Sequence, residues 1–170
     1  MSISKAGKED IPVLVPLINS AYRGEGSKKG WTTEADLLQG ELRTDIAYLT
    51  ELLSKADTAM LKYTNEEGIV TGCVYLEKFS RGLYLGMLTV SPEKQASGVG
   101  KKLLAAAEDF ANENKCAGIF MNVISVRHEL IAWYERHGYK KTGEIKPLPA
   151  DNKFGTPTQH LEFNIMEKIF

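Results

Sequence analysis

The chain has 170 residues, 43% of them hydrophobic and 25% charged, with a formal charge of -1. This length predicts one domain with a substantial core over residues 1–170, too short for two, and the composition excludes a disordered chain. The near-neutral charge predicts no general attraction to nucleic acid or anionic membranes, so a local site must select the partner.

Cys73 and Cys116 are the only cysteines and lie in separate apolar stretches. Without a C-x-x-C pair they read as buried structural thiols. His128, His137 and His160 lack metal-ligand spacing, so no metal is expected. No apolar run approaches the roughly 20 residues of a membrane span, and polar breaks in the first 22 residues argue against a secretory signal. A cytoplasmic protein is the expectation.

In chain order, Ser2 to Ala6 reads as a short strand. A helix follows, with Asp10 near its start and Ile11, Leu14, Val15, Ile18 and Tyr22 along one face. A glycine-rich basic loop, Arg23 to Gly30, comes next. Thr33 is expected to cap a short helix through Leu38, and Thr44 a longer one carrying Ile46, Leu49 and Leu53. The period then changes to two. Thr58 to Thr64, Ile69 to Phe79 and Leu83 to Val90 read as antiparallel strands joined by turns at Asn65–Gly68 and Ser80–Gly82. Gly72 and Gly86 mark bulges or close backbone approach.

Downstream, Val99, Leu103, Ala107, Phe110 and Ala111 form the inward face of an amphipathic helix, and Ala117 to Ile124 is a buried strand. His128 to His137 is a further helix with Gly138 as its C-cap, and His137 suits the negative end of that helix. Tyr139 to Ile145 and His160 to Met166 are the final strands. The fold class is therefore mixed α/β, with one strand–helix–strand unit at its centre.

The most informative segment is Leu83 to Leu104. A strand ends at Val90, Pro92 breaks it, and Gln95-Ala96-Ser97-Gly98-Val99-Gly100 leads into a helix. The first N–H groups of a helix lack internal acceptors and carry the positive end of its dipole, so a phosphate there meets several donors at once. Gly98 and Gly100 allow close approach, Gln95 adds a donor, and Lys101 or Lys102 adds a cation at the rim. A Walker A loop is excluded, because Lys102 stands where Ser or Thr is needed and Gln95 where the first glycine is needed. A Rossmann fingerprint is excluded because Leu103 replaces the third glycine. Alone, these glycines also fit an ordinary tight turn.

Gln95-x-x-Gly98-x-Gly100 resembles the Q/R-x-x-G-x-G/A motif of the GNAT superfamily of N-acetyltransferases. Leu88-Thr89-Val90-Ser91-Pro92 resembles the strand end before that motif. Ala132 to Tyr139 (AWYERHGY) resembles the family's helix ending in Tyr-Glu-Lys-x-Gly-Phe, and HLEFNIMEKIF its last strand. The likeness is specific over Leu83 to Tyr139 and loose over the N-terminal half. It implies a mixed, mostly antiparallel sheet with splayed parallel central strands flanked by helices, and acetyl-CoA in the V between Leu83–Val90 and Ala117–Ile124. Leu88, Thr89 and Val90 would offer backbone to the pantetheine arm, and Gln95, Ala96, Ser97, Gly98, Val99, Gly100 and Lys101 would hold the pyrophosphate. Where the family often has a cofactor-contacting asparagine, this chain has Arg127, which fits either a phosphate contact or a solvated charge.

Acetyl transfer to an amine needs a neutral nucleophile, a stabilised oxyanion and a protonated leaving thiolate. Backbone N–H groups near Gly86–Leu88 are candidates for the oxyanion. The resemblance implies that Tyr134 protonates the sulfur; the residue's spacing with Leu130 and Gly138 also fits a core aromatic. Glu77 and Glu34 are candidate bases, and each also reads as a surface charge. Tyr22 to Glu34 and Lys146 to Thr158 should build the acceptor side, with Trp31, Tyr22 and Phe154 as candidate walls. Arg23, Lys28 and Lys29 suit an anionic acceptor or a solvated loop.

The expected protein is an acetyl-CoA-dependent N-acetyltransferase acting on a small-molecule primary amine by direct attack in a ternary complex. Peptide or protein N-terminal acetylation, and a non-catalytic acyl-CoA sensor, are the rival readings. Oligomeric state stays open, with a homodimer among the options.

Overall fold

The computed structural model describes residues 2–94, 97–149 and 152–170. Gln95 and Ala96, the first two residues of the expected phosphate turn, lie outside the described residues, as do residues 150 and 151 of the expected acceptor loop.

Among the described residues, seven strands make the main sheet in the order β1-β3-β4-β5-β6-β9-β7. They are β1 (Ser2–Lys5), β3 (Thr58–Thr64), β4 (Val70–Phe79), β5 (Gly82–Val90), β6 (Gly118–Ile124), β7 (Lys140–Pro147) and β9 (Glu162–Ile169). All neighbours are antiparallel except β5 and β6. Two short strands, β2 (Leu38–Gln39) and β8 (Thr156–Pro157), pair separately, joining the N-terminal loop to the C-terminal one.

Helices cover both faces because the strands alternate apolar side chains to both sides. On one face, α1 (Ile11–Tyr22) and α2 (Ile46–Ser54) enclose Met60, Cys73, Tyr75 and Met87. On the other, α3 (Val99–Glu113) and α4 (His128–Arg136) bury Val99, Leu103, Ala107, Ile131 and Tyr134 against Val74, Leu76 and Met121. No helix among the described residues is long and apolar enough to cross a membrane.

Several local expectations change. No helix forms over 33–37: residues 35–37 make a turn and Leu38 already enters β2, while Thr33 Oγ1 meets Ser27 Oγ at 2.6 Å and Glu34 is buried against arginines. The cap of α2 is Asp45, which accepts the Tyr48 N–H at 2.7 Å; Thr44 is buried one residue earlier. Cys73 is buried as expected, but Cys116 is only half-buried. Gly72 marks a close approach, since a Cβ there would meet Val99 and Leu103 of α3 at 2.9 Å. The bulge of β5 lies beyond Gly86: Tyr75 faces Gly86 and Cys73 faces Thr89, leaving an extra residue between them, and Met87 takes a positive φ of 48°.

Candidate active site

The parallel pair β5–β6 sets the site's position. It is in register only at Leu83↔Ile119 and Tyr84↔Phe120. Beyond this, β5 stays with β4 and β6 with β9, so the two strands diverge. Residues Leu85–Leu88 and Met121–Ile124 then line a cavity of about 450 Å³. An adjoining cavity of about 490 Å³ shares Arg43, Tyr48, Tyr84 and Asn122 with it.

Two buried tyrosines reach this cavity from opposite faces. Tyr22, the last residue of α1, donates its hydroxyl to the Leu88 carbonyl at 2.5 Å. Burial, with a smaller push from Glu34, raises its pKa to about 12. Tyr134 of α4 lines the cavity, 4% exposed, and no hydrogen bond engages its hydroxyl among the described residues. Burial raises its pKa as well, followed by the field of Tyr22, so the phenol stays protonated at neutral pH. Its ring stacks edge-on against Trp133 and Tyr139. Thus Tyr134 is a core aromatic whose protonated phenol borders the cleft.

The cavity roof is pinned by charge. Arg23 donates to the Phe154 carbonyl at 2.8 and 3.2 Å and pairs with Glu34 at 2.7 Å. Arg127 pairs with the other Glu34 oxygen at 3.3 Å and donates to the Trp31 carbonyl at 3.2 Å. All three side chains are at most 10% exposed. Burial alone would raise the Glu34 pKa, but Arg127, Arg43 and Arg23 together outweigh it and hold the carboxyl below its ordinary range. The surface-charge readings of Glu34, Arg23 and Arg127 are therefore corrected: the loop folds back and buries them. Lys28 instead pairs with Glu25 and Asp36 at 3.0 Å each, near the surface. Glu77 accepts the Tyr75 hydroxyl at 2.6 Å and lines the adjoining cavity, half-buried.

At the turn before α3, Gly98 is the N-cap with φ 80°, a left-handed conformation that favours glycine. The first bond into the helix runs from Lys102 N–H to the Gly98 carbonyl at 3.1 Å, so the N–H groups of Val99, Gly100 and Lys101 precede the helical ladder. The Ser97 hydroxyl is committed to the Lys94 carbonyl at 2.5 Å. Lys101 is exposed at the rim. A Cβ on Gly100 would lie 2.9 Å from the Trp31 ring, which also stacks on Trp133 with ring centres 4.9 Å apart. Of the expected walls, Tyr22 and Phe154 line the cavity, whereas Trp31 packs between the starts of α3 and α4.

Residues 57–141 match the family model described as an acetyltransferase (GNAT) domain. The chain belongs to the GNAT family. It is 30% identical over 107 residues to the acetyltransferase Atu2258 of Agrobacterium fabrum, covering 62% of this chain and 77% of that protein. In fold it is similar to the ribosomal-protein-alanine N-acetyltransferase of Brucella melitensis, with a TM-score of 0.74 at 19% identity over the whole of both chains. It is also similar to the PaiA N-acetyltransferase of Thermoplasma acidophilum in complex with coenzyme A, with a TM-score of 0.68 at 18% identity over the whole of both chains. The sheet with its splayed parallel pair is the GNAT architecture, and the protein is an acetyl-CoA-dependent N-acetyltransferase.

Two residues lining this cavity, Arg43 and Asn122, and one bond of a third, escaped the sequence. Tyr22 was legible as a wall but not as the partner of Leu88, 66 positions away. Arg43 lies between two turns with no motif around it. Asn122 sits in an apolar run, yet its Oδ1 is buried without a hydrogen-bond partner at the point where the strands part. A lone polar residue in a buried strand is the one signal that pointed there.

Proposed function

We propose that the protein transfers the acetyl group of acetyl-CoA to the primary amine of a small molecule by direct attack in a ternary complex, with the described chain acting as one unit. The observation that carries this is the roofed cavity at the β5–β6 divergence, with the Tyr134 hydroxyl facing it. Arg23 ties the segment at Phe154 over that cavity, and the β2–β8 pair anchors the same segment on the other side. Such a roof suits a compact acceptor better than a peptide laid in an open groove.

On this reading the N–H groups of 98–101 take the pyrophosphate, joined by Gln95 and Ala96 as the motif implies, with Lys101 at the rim. Thr89, Val90 and the edge of β5 that diverges from β6 meet the pantetheine, and Arg127, which lines the same cleft and holds the Trp31 carbonyl, meets a phosphate. Leu88 differs from Thr89 and Val90, since its carbonyl already accepts from Tyr22. The bulge at Met87 turns backbone N–H groups out of the β4–β5 ladder, which makes them donors for the oxyanion.

The amine nitrogen forms its bond to the thioester carbon, the C–S bond breaks, and the sulfur takes the Tyr134 proton. Burial disfavours the phenolate, but it equally disfavours the thiolate formed beside it, so the transfer is not made uphill by desolvation. The amine proton leaves to water or to a carboxylate. Glu77 suits that role better than Glu34, whose charge is committed to arginines and whose lowered pKa makes it a weak base. Turnover of acetyl-CoA with a panel of small amines and N-terminal peptides tests the reading: small amines should be acetylated faster. Faster acetylation of the peptides would replace it with N-terminal acetylation.

A further inference from the structure

The two adjoining cavities share one arginine, Arg43. Among the described residues, the first is lined by Arg23, Arg43 and Arg127 beside one carboxylate, Glu34. Arg23 and Arg127 share that carboxylate. Arg43 adds its field to that carboxylate, but among the described residues its guanidinium makes no hydrogen bond or ion pair and lies over the Tyr22 ring, its carbon 5.4 Å from the ring centre. A guanidinium half-buried over an aromatic face is less solvated than in water and gains by meeting an anion.

Arg43 is also held in place. Its N–H and that of Thr44 donate to Asn19 Oδ1 of α1 at 2.6 and 2.9 Å, and Asn19 Nδ2 donates back to the Thr44 carbonyl at 3.1 Å. The side chain thus starts from a fixed backbone and lines both cavities, on the α1–α2 face of the sheet. The turn before α3, where the pyrophosphate is expected, packs on the opposite face. Asn122 also lines both cavities, and its unpartnered oxygen would be satisfied by an amine N–H.

We propose that Arg43 is an anion-binding residue for the acceptor, and that the preferred acceptor is a small primary amine carrying a carboxylate or similar oxyanion. This rests on the small-amine reading above and adds the second group of the substrate. A planar guanidinium binds a carboxylate through two parallel N–H bonds, fixing the distance from anion to amine and so the amine's approach to the thioester.

The test compares amines in matched pairs, one bearing a carboxylate and its twin the primary amide, with wild type, Arg43→Gln and Arg43→Lys. Wild type should show kcat/KM at least roughly tenfold higher for the carboxylate member, as expected for a charge-assisted bond. Arg43→Gln should erase that preference mainly through KM for the amine, and Arg43→Lys should restore part of it. The KM for acetyl-CoA should stay constant, which also certifies that the variants fold. Equal losses on both twins in a variant whose KM for acetyl-CoA is unchanged would overturn the proposal, and so would a wild-type preference for the amide, which needs no variant. A selective rise in KM for acetyl-CoA would reassign Arg43 to the cofactor. If wild type acetylated no small amine at all, the small-amine reading would fall first and this one with it.

Discussion

Tyr22 and Leu88 join the end of α1 to the bulged stretch of β5 through one hydroxyl–carbonyl bond of 2.5 Å. That bond fills a carbonyl at the splayed edge and ties the acceptor wall to the cofactor strand. Tyr22→Phe should therefore lower stability by about 1–3 kcal/mol, the loss of a buried bond with its acceptor left unpaired. It should also raise the KM for acetyl-CoA. Denaturant unfolding and steady-state kinetics measure the two effects; an unchanged midpoint would mean that the bond is not formed in solution.

Tyr134→Phe removes the phenol while keeping the ring that packs on Trp133 and Tyr139. We expect kcat to fall on the order of 100-fold or more, as for loss of a general acid, with coenzyme A affinity retained. Turnover beside calorimetry separates the two.

The raised pKa of Tyr134 also predicts a pH profile. A donor whose pKa lies above the ordinary value of 10.0 keeps its proton across the neutral and mildly alkaline range. The kcat/KM should rise with pH as the acceptor amine deprotonates and show no falling limb below about pH 9.5. A fall beginning near pH 8 would assign the proton to another group.

Glu34 is a stability residue in this account. Glu34→Gln leaves Arg23 and Arg127 without their shared counter-charge and should cost about 3 kcal/mol at pH 7. Its folded pKa lies below the ordinary 4.5. The carboxylate therefore contributes fully above that value, and its contribution fades as pH falls through the lower folded pKa. The gap between wild type and variant in urea should accordingly shrink below about pH 4.5. Glu77→Gln should instead spare stability and lower kcat.

Gly100→Ala places a methyl 2.9 Å from the Trp31 ring. It should destabilise by about 1–3 kcal/mol through overpacking, with recovery in the double variant carrying Trp31→Leu. Thermal unfolding of the three proteins checks the coupling.

The strands and α3 were legible because their apolar periods are regular: Val99, Leu103, Ala107 and Ala111 are all buried, though Phe110 is only half so. The turn at Gly98 and the helix of Tyr134 were legible as motifs. What the sequence hid was long-range pairing. Glu34, Arg23 and Arg127 read as functional groups or as surface charge, never as one buried cluster, because a buried charge is recognisable only once its partner, as many as 93 positions away, is in contact. The helix expected after Thr33 is absent even though Thr33 Oγ1 accepts the Ala35 N–H as a cap would; Glu34 turns inward to the arginines and Leu38 enters β2, so long-range contacts end the turn after Leu37.

Cofactor binding at this site depends most on the diphosphate meeting the amides that open α3. Amide chemical shifts recorded during a coenzyme A titration test this directly. The largest changes should fall on Gly98, Val99, Gly100 and Lys101, with a second group at Leu88–Val90. Saturable binding that leaves those amides unmoved and perturbs another surface would contradict it.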